Sequence, residues 1–497
     1  MKKKLLVFII AIVAAIAVLS GCTETFKQNA ISGNYDNLKV ESNGGLSVKA
    51  GNYVFYINGY AGQDSENVFG SALKGAVMRA TIDENGNIDP KTAVVVVPKN
   101  VYNTVKTSGL FVVDNWLYYT CPSTKKDSSG SYQTSNMVLL RTKVDGTDTE
   151  EIKTFSAYTP TFKIGKTAVM YYDSSSYELH SINLSDKKDT TVAESVRGFV
   201  FAENVPDNAF NEWAFYTKSA EDTSASHNEV YKVKLDGTSA EKLIDGKDSY
   251  SEAVKQEQIK GDAAEKGFSL TLNSAYLKAD GVRLVYSKTD SGQNTISQGL
   301  YMAELSEGLA FDEAKESKLS SNGKVSGQDD TYSSLYFIDN ENILATGSSS
   351  VQWIRREVGG KVWSPVFRPE TSKHCISVAA TVLKYEVTDE TGVLYFFNGT
   401  KLQRYEILKY VEGKPAAYAD TNAVDVIDSF SATTSWLAAE LIGDNLIYWD
   451  SNVSNYTYVI DLGEIKMSDK ANKYDQETVV KTLISKVTEE DKAALLS

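Results

Sequence analysis

Few residues of this 497-residue chain are spaced for chemistry, and the densest group of oxygen donors is one turn. Asp83, Asn85, Asn87 and Asp89 alternate around Gly86. Carboxylate and carboxamide oxygens in such a run are the donors a hard cation such as calcium takes. The run lacks the register and the bidentate Glu of an EF-hand loop, so a solvated hairpin turn is the favoured reading over calcium. His180, His227 and His374 share no metal-ligand spacing, and His180 inside Glu178-Leu179-His180-Ser181-Ile182 reads as a strand residue. No Gly-x-Ser-x-Gly elbow, phosphate loop or dinucleotide fingerprint occurs. Ser71-x-x-Lys74 and Ser123-x-x-Lys126 stand in polar stretches with no Lys-Thr-Gly after them, which removes penicillin-recognising serine chemistry. Carboxylates are plentiful, but paired-acid glycan cleavage is set by their separation in space. Trp353, Arg355, Arg356 and Trp363 flank the Gly359-Gly360 turn. They are a candidate binding surface if exposed, and seam packing if half buried on a strand. The residues therefore predict no catalytic group, no cofactor and, apart from the weak calcium turn, no metal.

The elements that carry these residues are short and repeated. An apolar strand, a polar turn and an aromatic-rich strand recur together. The pattern reads Gly45-Leu46-Ser47-Val48-Lys49-Ala50-Gly51-Asn52-Tyr53-Val54-Phe55-Tyr56, then Gly109 to Tyr119, then Phe162 to Tyr172. Weaker copies centre on Trp213 to Tyr216, Asp280 to Tyr286 and Leu335 to Ala345, and two more on Gly392 to Phe397 and Asn445 to Asp450. From Tyr56 to Tyr448 the seven intervals average 56 residues. Strands ending in Asp145-Gly146-Thr147 and Asp236-Gly237-Thr238 follow at a regular offset, and Asp-Gly suits a tight hairpin turn. Alternation at Tyr231, Val233 and Leu235 marks one buried face.

Four-stranded units of this length cannot bury their faces alone, and stacking them radially makes a β-propeller. The expectation is all-β, with eight blades and seven as the alternative if the degenerate copy near Leu335 is not separate. The last copy lacks one strand. Leu38 to Ser42 is expected to supply it and close the ring. Asp245 to Gly267 is expected to hold a short inserted helix. Beyond Asp475, the positions Val479, Val480, Leu483, Ile484 and Val487 recur at helical spacing, and Thr488-Glu489-Glu490-Asp491 looks like a second helix start.

The chain begins with Lys2, Lys3 and Lys4, an apolar run from Leu5 to Leu19, and Ser20-Gly21-Cys22. The run is too short to span a bilayer and has the build of a secretory signal. Leu19-Ser20-Gly21-Cys22 resembles the lipobox of bacterial lipoproteins. That resemblance implies diacylglycerol on the Cys22 sulfur and cleavage before it. The expected organisation is a signal at 1–21, a lipidated tether at 22–37, a propeller at 38–465 and a helical segment at 466–497. Removing the three signal lysines takes the formal net charge from −14 to −17. Such a chain repels nucleic acid, which is excluded as a partner. Cys121 and Cys375 either pair or stand as separate thiols.

Leu446-Ile447-Tyr448-Trp449-Asp450-Ser451 resembles the Tyr-Trp-Thr-Asp repeat of lipoprotein-receptor-like propellers. Trp116-Leu117-Tyr118-Tyr119 with Lys143-Val144-Asp145-Gly146-Thr147 looks like the uncharacterised bacterial surface domain DUF5050. Both resemblances imply the fold and bring no reaction and no site residues. The expected function is that of an extracytoplasmic, membrane-anchored lipoprotein that binds a protein or glycan without catalysis. The alternatives are a glycan hydrolase or lyase with acids at the propeller axis, and an envelope assembly protein.

Overall fold

The computed structural model describes residues 30–60, 74–101, 109–133, 135–220, 227–250, 267–289, 298–320, 332–337, 339–347, 351–356, 359–367, 381–387, 391–397, 400–408, 424–432, 439–453, 456–468 and 474–485. It contains eight four-stranded antiparallel sheets, each built from four strands consecutive in the chain. They are the blades of a β-propeller and span 47–97, 111–155, 161–193, 196–245, 269–320, 332–367, 381–427 and 439–483. The degenerate copy near Leu335 is a blade of its own, which excludes seven. The repeated motif supplies the first two strands of each blade. In blade 1, Ser47–Ala50 pairs with Tyr53–Ile57, Ser47 opposite Tyr56. In blade 8, Ala439–Ile442 pairs with Asn445–Asp450.

Second strands are apolar on both sides because each is covered by a neighbouring blade on either face. All six residues of Asn445–Asp450 are buried. The tyrosine excess is spent here: Tyr56, Tyr118, Tyr119, Tyr286 and Tyr448 are among the largest fully buried side chains. The apolar core is a series of clusters at the seams between blades, 2 with 3, 3 with 4, 4 with 5, 5 with 6 and 7 with 8. One cluster joins blades 1 and 2 to blade 8 through Ile442, Ile447, Trp449, Val459 and Ile484. Third strands are covered on both faces too, which corrects the one-faced reading of Tyr231, Val233 and Leu235. Lys232, between them, is buried and donates from Nζ to Gly308 O (2.7 Å) and Leu309 O (3.1 Å) of the next blade.

The ring closes differently from the sequence expectation. The fourth strand of blade 8 is Thr482–Leu483, with Tyr458 opposite Leu483 and Val459 opposite Thr482. Asp475 does cap a helical turn, but it is a 3-10 turn, Gln476–Thr478, and the chain is extended by residue 482. Seam packing overrides the helical spacing. Ile484 is 2% exposed in the seam, and Tyr56 Oη donates to its carbonyl at 2.6 Å. A helix would commit that carbonyl to its own ladder. The second helix expected at Thr488 lies outside the described residues. At 246–250 there is one helical turn, and the rest of the expected insertion is outside the described residues.

Leu38 to Ser42 instead folds back along the axial side of the first strand of blade 1. Val40 bridges Ala50, and Glu41 N donates to Lys49 O at 2.9 Å. The chain before it forms a strap. Ile31 N donates to Asp145 O at 2.8 Å, and Asn34 N to Tyr53 Oη at 3.1 Å. Arg79 donates to Ser32 O and Tyr35 Oη, with its guanidinium 4.7 Å from the Tyr53 ring centre.

The two ends of the ring differ. At one end most turns are short, including 51–52, 114–115, 165–167, 279–280 and 443–444 between first and second strands, and 83–87, 144–149, 184–188 and 235–240 between third and fourth. The opposite end carries the connections 58–76, 98–110 and 246–268, and the first end also carries two long ones, 409–423 and 462–481. In the Asp-Gly turns the glycine alone of the pair takes positive φ, 84° at Gly146 and 82° at Gly237. Asp145 and Asp236 cap the turns by accepting from Thr147 and Thr238.

Ile484→Ala should lower stability by about 3 kcal/mol, the usual scale for emptying a buried aliphatic site. Urea denaturation checks this; an unchanged midpoint would mean that the last strand does not hold the seam.

Candidate functional site

The inner strands surround an axial cavity of about 680 Å3, lined among others by Lys163, Phe199, Phe201, Glu203, Tyr276 and Glu440. They arrive from the first strands of blades 3, 4, 5 and 8 or from the chain just after them, with Phe199, Phe201 and Glu203 all from blade 4. The walls are largely aromatic and aliphatic, and the ionisable groups reach across seams.

Glu440 of blade 8 accepts from Ser47 N and Ser47 Oγ of blade 1, both at 2.9 Å on Oε2. Burial pushes its carboxyl up to about 7, against the pull of the Ser47 and Leu46 donors. Gly45 packs against the carboxylate, and a Cβ there would collide with both oxygens. Lys163 of blade 3 donates from Nζ to Ala202 O (2.8 Å), Glu203 O (3.1 Å) and Asn211 Oδ1 (2.8 Å) of blade 4. Burial pushes its ammonium down to about 7. The three acceptors oppose that shift, since only the protonated form can serve all of them. Glu203 Oε1 accepts from Leu277 N of blade 5 at 2.9 Å. Its carboxyl is raised by burial, although Lys163 and Arg283 draw it back. It is open to solvent while hemmed by protein, the condition of a side chain standing in a cavity. Tyr276 Oη of blade 5 accepts from Leu335 N of blade 6 at 2.9 Å.

A larger cavity of about 1120 Å3 opens at the short-turn end. Its wall includes the strap at Asp36, Leu38 and Val40, the turn at Asp114 and Trp116, and Lys166 and Glu212. Glu212 holds the turn of the neighbouring blade by accepting from Lys166 N at 3.0 Å.

The residues singled out from sequence fall elsewhere. Asp83, Asn85, Asn87 and Asp89 form the last hairpin turn of blade 1. Asp83 Oδ1 accepts from Asn85 N (2.9 Å) and Asn87 N (2.8 Å), and the Asn87 amide holds the carboxyl below its ordinary range. Asp89 Oδ1 caps Lys91 N at 2.9 Å. The turn's own amides occupy these oxygens, and among the described residues no cluster of three or more His, Cys, Asp or Glu is placed to hold a metal. Asn445 Nδ2 of blade 8 donates to Gly86 O at 2.7 Å, so the turn is part of the ring seam.

Arg355, Arg356 and Trp363 do not form an exposed patch. Trp363 is 3% exposed and donates from Nε1 to Ser317 Oγ of blade 5 at 3.0 Å. The Arg356 guanidinium sits 5.1 Å from the Trp363 ring centre and donates to Asn340 O at 2.9 Å. Arg355 is half-buried opposite Ser364, and Trp353 faces Phe367 in the register. Packing between blades 5 and 6 therefore replaces the expected binding surface. His180 lies in a strand, as expected. Its ring nitrogens meet Glu178 Oε2 at 3.1 Å and Asp189 Oδ1 at 3.3 Å, and the ring stacks on Tyr171. Cys121 is a buried free thiol pushed up to about 12 by burial, and Cys375 lies outside the described residues, as does Cys22.

Sequence reasoning missed Lys163, Glu203 and Glu440. One signal was visible: Lys163 interrupts the apolar strand Phe162-Lys163-Ile164, where a charge needs partners.

No family model matches the sequence, and no curated protein matches it. Solved structures align with it at low similarity. A nidogen/laminin complex aligns at 12% identity over 60% of this chain and 91% of that one, with a TM-score of 0.25. TolB from Acinetobacter baumannii aligns at 10% over 65% and 73%, with a TM-score of 0.27. A prolyl endopeptidase aligns at 11% over 86% of this chain and 54% of that one, about half its length, with a TM-score of 0.39. Likeness of this degree carries no argument about activity. The class rests on the eight sheets themselves: the chain is an eight-bladed β-propeller, an architecture common among binding modules.

The Glu440 carboxyl gives a pH test. Its folded value of about 7 lies above its ordinary 4.5. Between those values the folded state holds more protons than the unfolded state, so stability is greatest below 4.5 and declines as pH rises through about 7. Glu440→Gln should flatten this dependence while retaining an acceptor for Ser47. Urea midpoints near both ends of the window measure it, and an equal slope in the two proteins would show that Glu440 does not titrate there.

Proposed function

We propose that the chain is an extracytoplasmic lipoprotein, held to the bacterial cell membrane by diacylglycerol on Cys22, whose propeller binds a protein or glycan partner without catalysis. The supporting observation is the commitment of the axial groups. Lys163 Nζ, Glu203 Oε1 and Glu440 Oε2 are each bonded to the next blade, so these groups serve as ties across the seams. The basic start, the short apolar run and the Leu-Ser-Gly-Cys sequence support the anchor. The Tyr-Trp-Asp and Trp-Leu-Tyr-Tyr strands support kinship with DUF5050-like surface propellers.

One observation favours the catalytic alternative. A carboxyl held at about 7 in a cavity is suited to proton transfer near neutral pH. Its two Ser47 bonds, both on Oε2, make the same carboxyl a tie between blades 8 and 1.

Two experiments test the reading. Cys22→Ala protein should appear in the medium, folded, while the wild type fractionates with membranes. Retention of the variant at the membrane would refute the lipid anchor. The soluble part from Thr23 onward should retain an envelope protein or glycan in a pull-down. Cleavage of envelope glycan by this protein, lost in Glu440→Gln, would replace binding with hydrolysis or elimination.

A further inference from the structure

The strap fixes which way the ring faces. Ile31 is bonded to Asp145, in the turn between the third and fourth strands of blade 2. Tyr53, which accepts from Asn34 N, begins the second strand of blade 1 just after the turn at 51–52. Both positions belong to the short-turn end, so the chain leaves the ring on that face.

Distances decide the consequence. Eight residues lead from Cys22 to Ala30. Fully extended they reach about 28 Å, and as a flexible coil about 16 Å. The seven-residue strands of blade 2, Trp116–Pro122 and Met137–Lys143, each span about 23 Å, before the 123–136 connection is added. A coil of that length cannot carry the anchor past the height of the blade. Only a stretched tether laid against the side of the ring could bring the opposite face to the lipid.

We infer that the propeller stands with its short-turn face, and the large cavity at that end, toward the lipid bilayer, and its opposite face away from it. The inference rests on the Cys22 anchor proposed above. The tether holds the lower face near the bilayer without adhesion. The anchored chain's formal charge of −17, with Asp36, Asp114 and Asp207 at the cavity, repels anionic headgroups.

The test uses full-length lipidated protein, with Cys121 and Cys375 changed to Ser, in vesicles whose headgroups carry a spin label. Single reporter cysteines with a fluorophore are placed at exposed positions on the two faces. Lys188→Cys and Ala240→Cys sit on the short-turn face, and Ser128→Cys and Ser174→Cys on the other. Quenching should be several-fold stronger at the first pair. Equal quenching, or stronger quenching at the second pair, overturns the orientation. Parallel membrane fractionation of wild type and Cys22→Ala separates the two claims. Loss of anchoring in the variant, together with reversed quenching, refutes the orientation alone. Anchoring that does not depend on Cys22 refutes both.

Discussion

Hydrogen bonds that cross from one blade to the next are the interaction on which the rest depends. Within a blade, backbone ladders set the register. Between blades there is almost no ladder; apolar seams hold neighbours together, and apolar packing is non-directional. Side chains therefore set the angle. Asn43 bonds Val112 O and N at 3.1 and 2.7 Å, joining blade 1 to blade 2. Ser181 Oγ donates to Leu235 O at 2.7 Å, and Asn228 Nδ2 to Leu270 O at 2.7 Å. Where the first and last blades meet, Trp449 Nε1 and Thr457 Oγ1 both donate to Ile57 O, and Asn445 reaches Gly86. The seam is thus pinned at both ends. Closure is made by the same kind of contact as every other described seam, without a strand borrowed from the other terminus.

This explains the chemistry of the axis. A ring whose inner strands must be tied to one another needs polar atoms near its centre, and these have to be desolvated. Glu440 and Lys163 bear that cost, and their shifted proton affinities are its signature. Perturbed titration often marks a catalytic group, but structural networks produce it too. Here burial within the ring produces the shifts, and the groups that meet Glu440 and Lys163, at Ser47 and at residues 202–211, belong to adjacent blades, so no substrate is needed to explain them.

Much of the architecture was legible in the sequence because it repeats. Gly45 to Tyr56 and Gly109 to Tyr119 show the inner hairpin almost residue for residue, and eight such signals became eight blades. What escaped was whatever depends on a distant partner. Val479, Val480, Leu483 and Ile484 have helical spacing, yet Ile484 is extended because Tyr56, far away in the chain, takes its carbonyl. Leu38 to Ser42 was recognisable as a strand without a local partner, but not as one folded onto Ala50. Trp363 and Arg356 resembled a binding patch because sequence cannot distinguish an outer surface from the wall of a seam. Glu440 gave no local hint, since its meaning comes from Ser47 and Gly45 at the other end of the chain.

The strap also determines where mechanical load enters the molecule. A pull on the chain ahead of Ala30 arrives first at Ile31, Asn34 and Tyr35, and peels them from Asp145, Tyr53 and Arg79 one contact at a time. The bonds uniting blades 8 and 1 lie outside that path. Such a load is spent on a few renewable contacts at the rim, and the ring is spared until the strap is gone.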